Sequence, residues 1–322
     1  MLKYLVVIAL FIAMLPLFAT SFFTEEGDLI PLSEALLLQM LSNGADVDEE
    51  DYFGNTPIML LAEMNADLIL MSTLIDAGAD INHSNYMGQT ALMIGAGGKA
   101  DATLLAYLLA NEADPLLKDE ALQTALFYAA ENTRAVDIFR ALVQGKADMN
   151  AADDFQNTAL HSAIIHYCSV SVIETLINAQ ADVNAKNQFG ETPLILAAPI
   201  TEDTSLLSLL INAGAKVNLT INDGRTAFFL AATYNPNLSV IAEFLKQGAN
   251  INDVDANSTT ALMSATQKNP NPEVAMYLID AGINAKAKDN SGNRADTYFL
   301  QCENKEAWIK GQIDKLKQAC QE

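Results

Sequence analysis

The sequence predicts an all-α solenoid built from one small helical unit repeated along the chain. A threonine recurs as Thr56, Thr90, Thr124, Thr158, Thr192, Thr226 and Thr260, each 34 residues after the last. A second phrase keeps the same interval: Gly44-Ala45-Asp46, Gly78-Ala79-Asp80, Glu112-Ala113-Asp114, Lys146-Ala147-Asp148, Gln180-Ala181-Asp182, Gly214-Ala215-Lys216, Gly248-Ala249-Asn250 and Gly282-Ile283-Asn284. Apolar stripes at helical spacing lie between the two phrases. A fixed period of this length marks a stacked array in which each unit touches only its neighbours, so no single central core is expected.

Each element of the unit follows from local chemistry. From Asp153 to Lys186, the opening Asp153-Asp154-Phe155-Gln156 is a turn favoured by its Asx residues. Glycine fills the Gln156 position in five of the eight copies, as Gly54, Gly88, Gly190, Gly224 and Gly292. Thr158 then caps a short helix over Ala159–Ile165. Proline takes the first helical position twice (Pro57, Pro193), where its missing N–H does no harm. Small pairs such as Ala197-Ala198 and Ala231-Ala232 let neighbouring helices approach closely. A loop follows, with breaker chemistry in Asn235-Pro236-Asn237 and Asn269-Pro270-Asn271-Pro272. A second helix runs from Val170 to Ala179, with Val172, Ile173, Leu176 and Ile177 on one stripe. Glycine at positions 44, 78, 214, 248 and 282 ends this helix in the left-handed conformation. The extended Asp182-Val183-Asn184 leads to the next turn.

Turn, Thr-Pro-Leu, helix, loop, helix, Gly-Ala-Asp-Val-Asn: this order resembles the ankyrin repeat, over about residues 30–320. Two features depart from the family pattern. The period is 34 rather than 33, with the extra residue in the inter-helix loop. The histidine of the Thr-Pro-Leu-His phrase survives only as His161; Met59, Met93, Phe127, Ile195, Phe229 and Met263 replace it, exchanging a polar staple for apolar packing. The resemblance implies helix–loop–helix units joined by β-turn or hairpin loops, and partners bound along the turn tips and the exposed face of the first helices.

The domains then read as a signal peptide over 1–21, a partial N-terminal capping repeat over 22–50, seven repeats over 51–288 and a C-terminal capping repeat over 289–322. The first repeat begins at Phe22, its opening helix short or missing and its second helix at Leu32–Leu41. In the last, Arg294 takes the threonine place, and Ala295–Gln301 and Lys305–Ala319 read as a more charged helix pair. Trp308, the only tryptophan, packs this cap.

Met1-Leu2-Lys3 carries one positive charge, Tyr4 to Leu15 is unbroken apolar, and small residues follow at Ala19 and Ser21. This is the layout of a secretory leader cleaved after Ala19 or Ser21. The alternative is an uncleaved anchor, for which residues 4–23 are barely long enough. Lys3 before the segment and Glu25, Glu26 and Asp28 after it put the array outside the cytoplasm either way. The chain reads as a bacterial-type protein, periplasmic or secreted, with no membrane insertion of the mature chain once the leader is removed.

The net charge is −22. Thirteen acids and no lysine or arginine lie between Lys3 and Lys99, whereas seven lysines and arginines balance six acids from Asn284 to Glu322. Nucleic acid is excluded as a partner, because phosphates demand a basic face. The acidic N-terminal third either meets a basic protein surface or only keeps the array soluble. Cys302 and Cys320, both in the last unit, either form a disulfide or remain two thiols; Cys168, four repeats earlier, is beyond their reach.

A search for chemistry returns no phosphate loop, zinc-protease helix or nucleophile elbow. His83, His161 and His166 do not cluster, and His166 near Cys168 is one pair, not a metal site. Neither a metal nor a cofactor is called for. What remains is surface. The turn tips carry Tyr52, Phe53, Tyr86, Met87, Phe155 and Phe189, and the ends of the first helices carry Met64, Ile165, Ile200 and Tyr234. These residues either form an apolar track for a protein partner or pack on adjacent tips and stiffen the array. The expected function is non-catalytic protein binding. The alternatives are a structural spacer or membrane-anchored scaffold at the cell envelope, and an enzyme with an unrecognised site.

Overall fold

The computed structural model describes residues 20–24, 28–133, 135–202, 204–302 and 305–321. Apart from Thr20 and Ser21, the leader assigned to residues 1–21 lies outside the described residues. Among these, no helix is long and apolar enough to cross a membrane, and extended chain occurs only as isolated bridges, such as Thr220 with Thr226. First helices begin at Pro57, Ala91, Ala125, Ala159, Pro193, Ala227, Ala261 and Ala295, one every 34 residues. The threonine hydroxyls start several of them. Thr90, Thr192, Thr226 and Thr260 accept the backbone N–H three residues on, at 3.4, 3.4, 3.2 and 3.3 Å, each such cap stabilising its helix by about 1 kcal/mol. Second helices end in left-handed residues, with φ between 83° and 96° at Gly44, Gly78, Gly214, Gly248 and Gly282. Glu112, Lys146 and Gln180 adopt the same conformation without being glycine.

The chain divides into two compact units, Met1–Asp154 and Phe155–Glu322. In the first, the helices Pro57–Glu63, Ala91–Gly97 and Ala125–Asn132 stack side by side. Glu34–Ser42 packs on Leu68–Asp76, and Ala102–Ala110 on Val136–Gln144. The interfaces are dry: Met59, Leu92, Met93, Leu126 and Phe127 are essentially inaccessible to solvent. No helix precedes Glu34–Ser42 among the described residues. Instead Phe23 bridges Leu29 antiparallel, and the Phe22 ring is wholly buried.

In the second unit, Ala159–Ile165, Pro193–Ala197, Ala227–Tyr234, Ala261–Lys268 and Ala295–Phe299 stack in sequence. Among the second helices, Val170–Asn178 packs on Ser205–Asn212, and Leu238–Lys246 on Pro272–Asp280, which in turn meets Lys310–Gln321. His161 is fully buried and ties its own repeat to the next. Its Nδ1 accepts the Thr158 N–H at 3.1 Å, which leaves the proton on Nε2 to donate to the Glu191 carbonyl at 3.1 Å. Where methionine replaces it, the thioether still accepts the threonine N–H, at 3.5 Å in Met59 and 3.4 Å in Met263. The exchange for apolar packing is thus incomplete in those two copies.

Asparagines join the repeats. Asn82 donates to the Glu112 carbonyl at 3.0 Å and accepts the Asp114 N–H at 2.8 Å; Asn184 does the same with Gly214 and Lys216, at 2.9 and 2.8 Å. The Asn-Pro-Asn loops do more than break a helix. Asn235 is buried and donates to the carbonyls of Ala198 and Thr201, at 3.0 and 2.8 Å. Asn269 repeats this with Ala232 and Asn235, at 2.8 and 2.9 Å.

The C-terminal cap differs from the expectation. Lys305–Ala319 is not one helix: a short 3-10 turn, Lys305–Ala307, is followed by Lys310–Gln321. Trp308 sits at the break, buried, its ring edge-on to Phe299 with centroids 5.3 Å apart. Seating the indole against Phe299 interrupts the helix.

Candidate functional site

The tips are held by main chain. Phe53 C=O accepts the Tyr86 N–H at 3.1 Å and Met87 C=O accepts the Glu120 N–H at 3.1 Å in the first unit. In the second, Phe155, Phe189, Asp223 and Asn257 each accept from the next tip, at 2.9, 3.1, 2.8 and 2.9 Å. Asp51, Asn85, Asp119, Asn187, Asp255 and Asp289 each open a turn with a carboxylate or amide that accepts two backbone N–H groups, whereas Ile221 takes that place in one copy. Asp51 takes those of Phe53 and Asn55, both at 2.8 Å, and Asp119 those of Ala121 and Gln123, at 2.9 and 2.8 Å. Rigid tips leave their outward side chains in solvent. Tyr52, Phe53, Tyr86 and Met87 are all exposed, Phe53 by 66%.

Tyr86 packs on the adjacent tip and is exposed as well. Its ring lies where a Cβ on Gly54 would meet it at 2.7 Å, so glycine is required beneath it. Its hydroxyl donates to Glu50 at 2.9 Å, and that acceptor raises the phenol above its ordinary value. The ring braces one tip on the next while its outer face stays open.

Between the tips and the first helices of the first unit lies a groove of about 410 Å³, lined by Phe53, Leu60, Glu63, Met87, Gly97 and Tyr128, among others. Phe53 and Met87 form one wall. The other is a chain of hydrogen bonds: Asn85 donates to Asn55 and to Gln89 at 2.8 and 2.9 Å, Gln89 donates to the Tyr128 hydroxyl at 2.9 Å, and Tyr128 donates to Asp119 at 2.6 Å. Burial, reinforced by the Asp119 contact, pushes the Tyr128 phenol well above its usual value, so it stays neutral and locked. Space comes from missing side chains. A Cβ on Gly97 would meet Tyr128 and Asn132 at 3.2 Å, and one on Gly98 would meet the Ile94 and Glu63 carbonyls at 2.8 and 3.0 Å. Glu63 is the only ionisable acid or base on the lining apart from the neutral Tyr128 phenol, and its side chain is exposed. Sequence reasoning named Phe53 and Met87 but missed this groove. The signal was Gly95, Gly97 and Gly98, where the other copies carry larger residues.

Met64, expected on the helix face, is exposed and directly follows Glu63 as the cap of Pro57–Glu63. In the second unit Phe155 and Phe189 are exposed at their tips, with Ile165 and Tyr234 exposed at the ends of their helices. The Lys268 ammonium lies 6.0 Å from the centre of the Tyr234 ring. Ile200 departs from the expectation. Pro193–Ala197 ends early, and Ile200 sits in the following turn, half-buried, its N–H on the Ala197 carbonyl at 3.2 Å. It is not part of an exposed helix end. The later tips are polar, and at one of them Arg225 clasps Asp223 at 2.6 Å, lowering the carboxyl below its ordinary value.

Cys168, Cys302 and Cys320 are all buried and outside any disulfide, so the bridge between the last two is not formed in this structure. Burial raises the Cys320 thiol above its usual value and so disfavours the thiolate. His166 Nδ1 lies 3.0 Å from the Ser162 carbonyl and 3.2 Å from its hydroxyl, on its own helix. Among the described residues, no group of three or more His, Cys, Asp or Glu side chains is placed to hold a metal ion.

A family model described as ankyrin repeats in three copies matches residues 31–119, 97–187, 168–253 and 194–289. No curated protein matches the chain.

Proposed function

The chain belongs to the ankyrin-repeat family, whose members generally mediate protein–protein interaction, and on that premise we propose that it is an exported, non-catalytic binding module for a protein partner. The observation that carries the reading is the groove of the first unit, which the exposed Glu63 lines together with the exposed Phe53 and Met87. An exposed carboxylate on an apolar rim suits a lysine or arginine that lays its alkyl stem against the rings and its charge on the acid. The thirteen acids between Lys3 and Lys99 would draw a basic partner to this end. The tips and helix ends of the second unit, Phe155, Phe189, Ile165 and Tyr234, offer a second apolar surface. The leader-like N-terminus supports a periplasmic or secreted location and a bacterial-type origin.

The test is capture from extracytoplasmic extract at low and high salt, comparing the wild type with Phe53→Ser/Met87→Ser, Glu63→Gln and Phe155→Ser/Phe189→Ser. A partner held by the groove is weakened about tenfold or more by the first variant, and its salt sensitivity drops in Glu63→Gln. Capture unchanged in both groove variants removes the groove from the site. Loss only in Phe155→Ser/Phe189→Ser moves it to the second unit. No capture under any condition favours a spacer at the envelope.

A further inference from the structure

Glu49 is half-buried and has no partner in the repeat pattern, yet both of its carboxylate oxygens are engaged by the start of the described chain. Its Oε2 accepts the backbone N–H of Phe22 at 2.5 Å, and its Oε1 accepts the Ser21 hydroxyl at 2.6 Å. Phe22 is also where the repeat begins in space. Its ring is wholly buried, its carbonyl accepts the Ile30 N–H at 3.0 Å, and the Phe23–Leu29 bridge follows at once. Thr20 and Ser21, by contrast, are exposed. The sequence before Phe22 is Ala19-Thr20-Ser21, with small residues one and three places before the Ser21–Phe22 bond, as leader cleavage requires. Cutting after Ala19 instead would put Leu17 three places before the bond.

We propose that leader cleavage falls between Ser21 and Phe22, and that Glu49 is the receptor for the new α-ammonium group. Hydrolysis of that bond adds one water, leaving a carboxylate on Ser21 and an amine on Phe22. The amine takes a proton and stands where the amide N–H stands now, against Glu49 Oε2. A neutral hydrogen bond thereby becomes a charge-assisted one. The Ser21 hydroxyl leaves with the leader, which frees Oε1 for a second ammonium proton. A carboxylate flanked by Asp48 and Glu50 thus receives a counter-charge that only processing creates.

The inference rests on the export reading, so its test has two arms. In the first, the full-length chain is produced in a bacterium with its own leader, and the exported protein is identified by N-terminal sequencing and intact mass. A chain starting at Phe22 is expected. A chain starting at Thr20 overturns the cleavage assignment while export stands, and a full-length chain retained by the cells overturns both. The second arm does not depend on export. The chain is freed from a cytoplasmic fusion so that it starts at Phe22, and the pH dependence of α-amine acylation is followed by mass spectrometry. With Glu49 in place the midpoint is expected above the ordinary α-amino value of about 7.7–8.0, falling back to it in Glu49→Gln. Equal midpoints in two chains with the same circular dichroism overturn the pairing.

Discussion

Asp48 shows how one atom decides whether a residue helps or hinders. At the equivalent place Asn82 and Asn184 bond both ways, donating to one backbone group and accepting from another. Asp48 only accepts, from the Asp80 N–H at 3.0 and 3.2 Å. Burial raises its carboxyl above the ordinary range, with the Asp80 charge adding to the effect. A raised carboxyl means that the folded state disfavours the charged form. The cost is therefore present above the folded value and disappears as pH falls below the unfolded value of about 3.9. Asp48→Asn keeps the acceptor and supplies a donor toward the Gly78 carbonyl. It is expected to stabilise the protein by about 0.5–1.5 kcal/mol near neutrality. The gain should shrink as pH approaches about 4, where protonated Asp48 can itself donate. Urea titrations of both chains across pH check this; a gain that grows at low pH would contradict the account. The sequence marked this position only as a link to the next turn, because its partners lie 30 and 32 residues away and no local pattern names them.

At the scale of the element, the Asn-Pro-Asn loops carry a larger share of the stack than their composition suggests. Asn269 is buried and fills the carbonyls of Ala232 and Asn235 while accepting the Asn271 N–H at 2.8 Å. Asn269→Ala leaves those groups without partners and is expected to cost about 2–3 kcal/mol. Asn271→Ala, at a more exposed end of the same loop, should cost less than about 1 kcal/mol. Urea midpoints of the two variants provide the comparison, and equal losses would show that the loop acts only through its prolines. The helices themselves were legible in the sequence: Ala159–Ile165 is found as expected, and the second helix differs by one residue at its end. The C-terminal helix was legible only in part: Trp308 was expected to pack the cap and is buried there, but nothing in the charge pattern says that the helix breaks around it. The groove was half legible. Its apolar wall follows from aromatics before a turn, whereas its volume comes from the side chains that Gly97 and Gly98 lack.

For the whole molecule, stability is a sum of local contacts between neighbouring repeats, and the last repeat described packs on the one before it. Trp308, the single tryptophan, reports on that end alone. Its fluorescence is expected to change at lower urea than the helical signal at 222 nm, because the five-residue Ala295–Phe299 helix and the interrupted segment after it are the least buttressed part of the second unit. Coincident transitions would mean that the cap melts together with the repeats beneath it.

Within each unit one set of tip-to-tip bonds runs from peptide group to peptide group, as from Tyr86 to Phe53 and from Asn222 to Phe189. Exchanging an outward side chain for any residue except proline leaves the donor and acceptor of such a bond in place, whereas glycines such as Gly54 beneath Tyr86 stay fixed. The outward positions are therefore sockets of constant spacing whose contents are interchangeable. A lineage carrying this scaffold can redraw what it recognises one side chain at a time, without refolding the scaffold on the way.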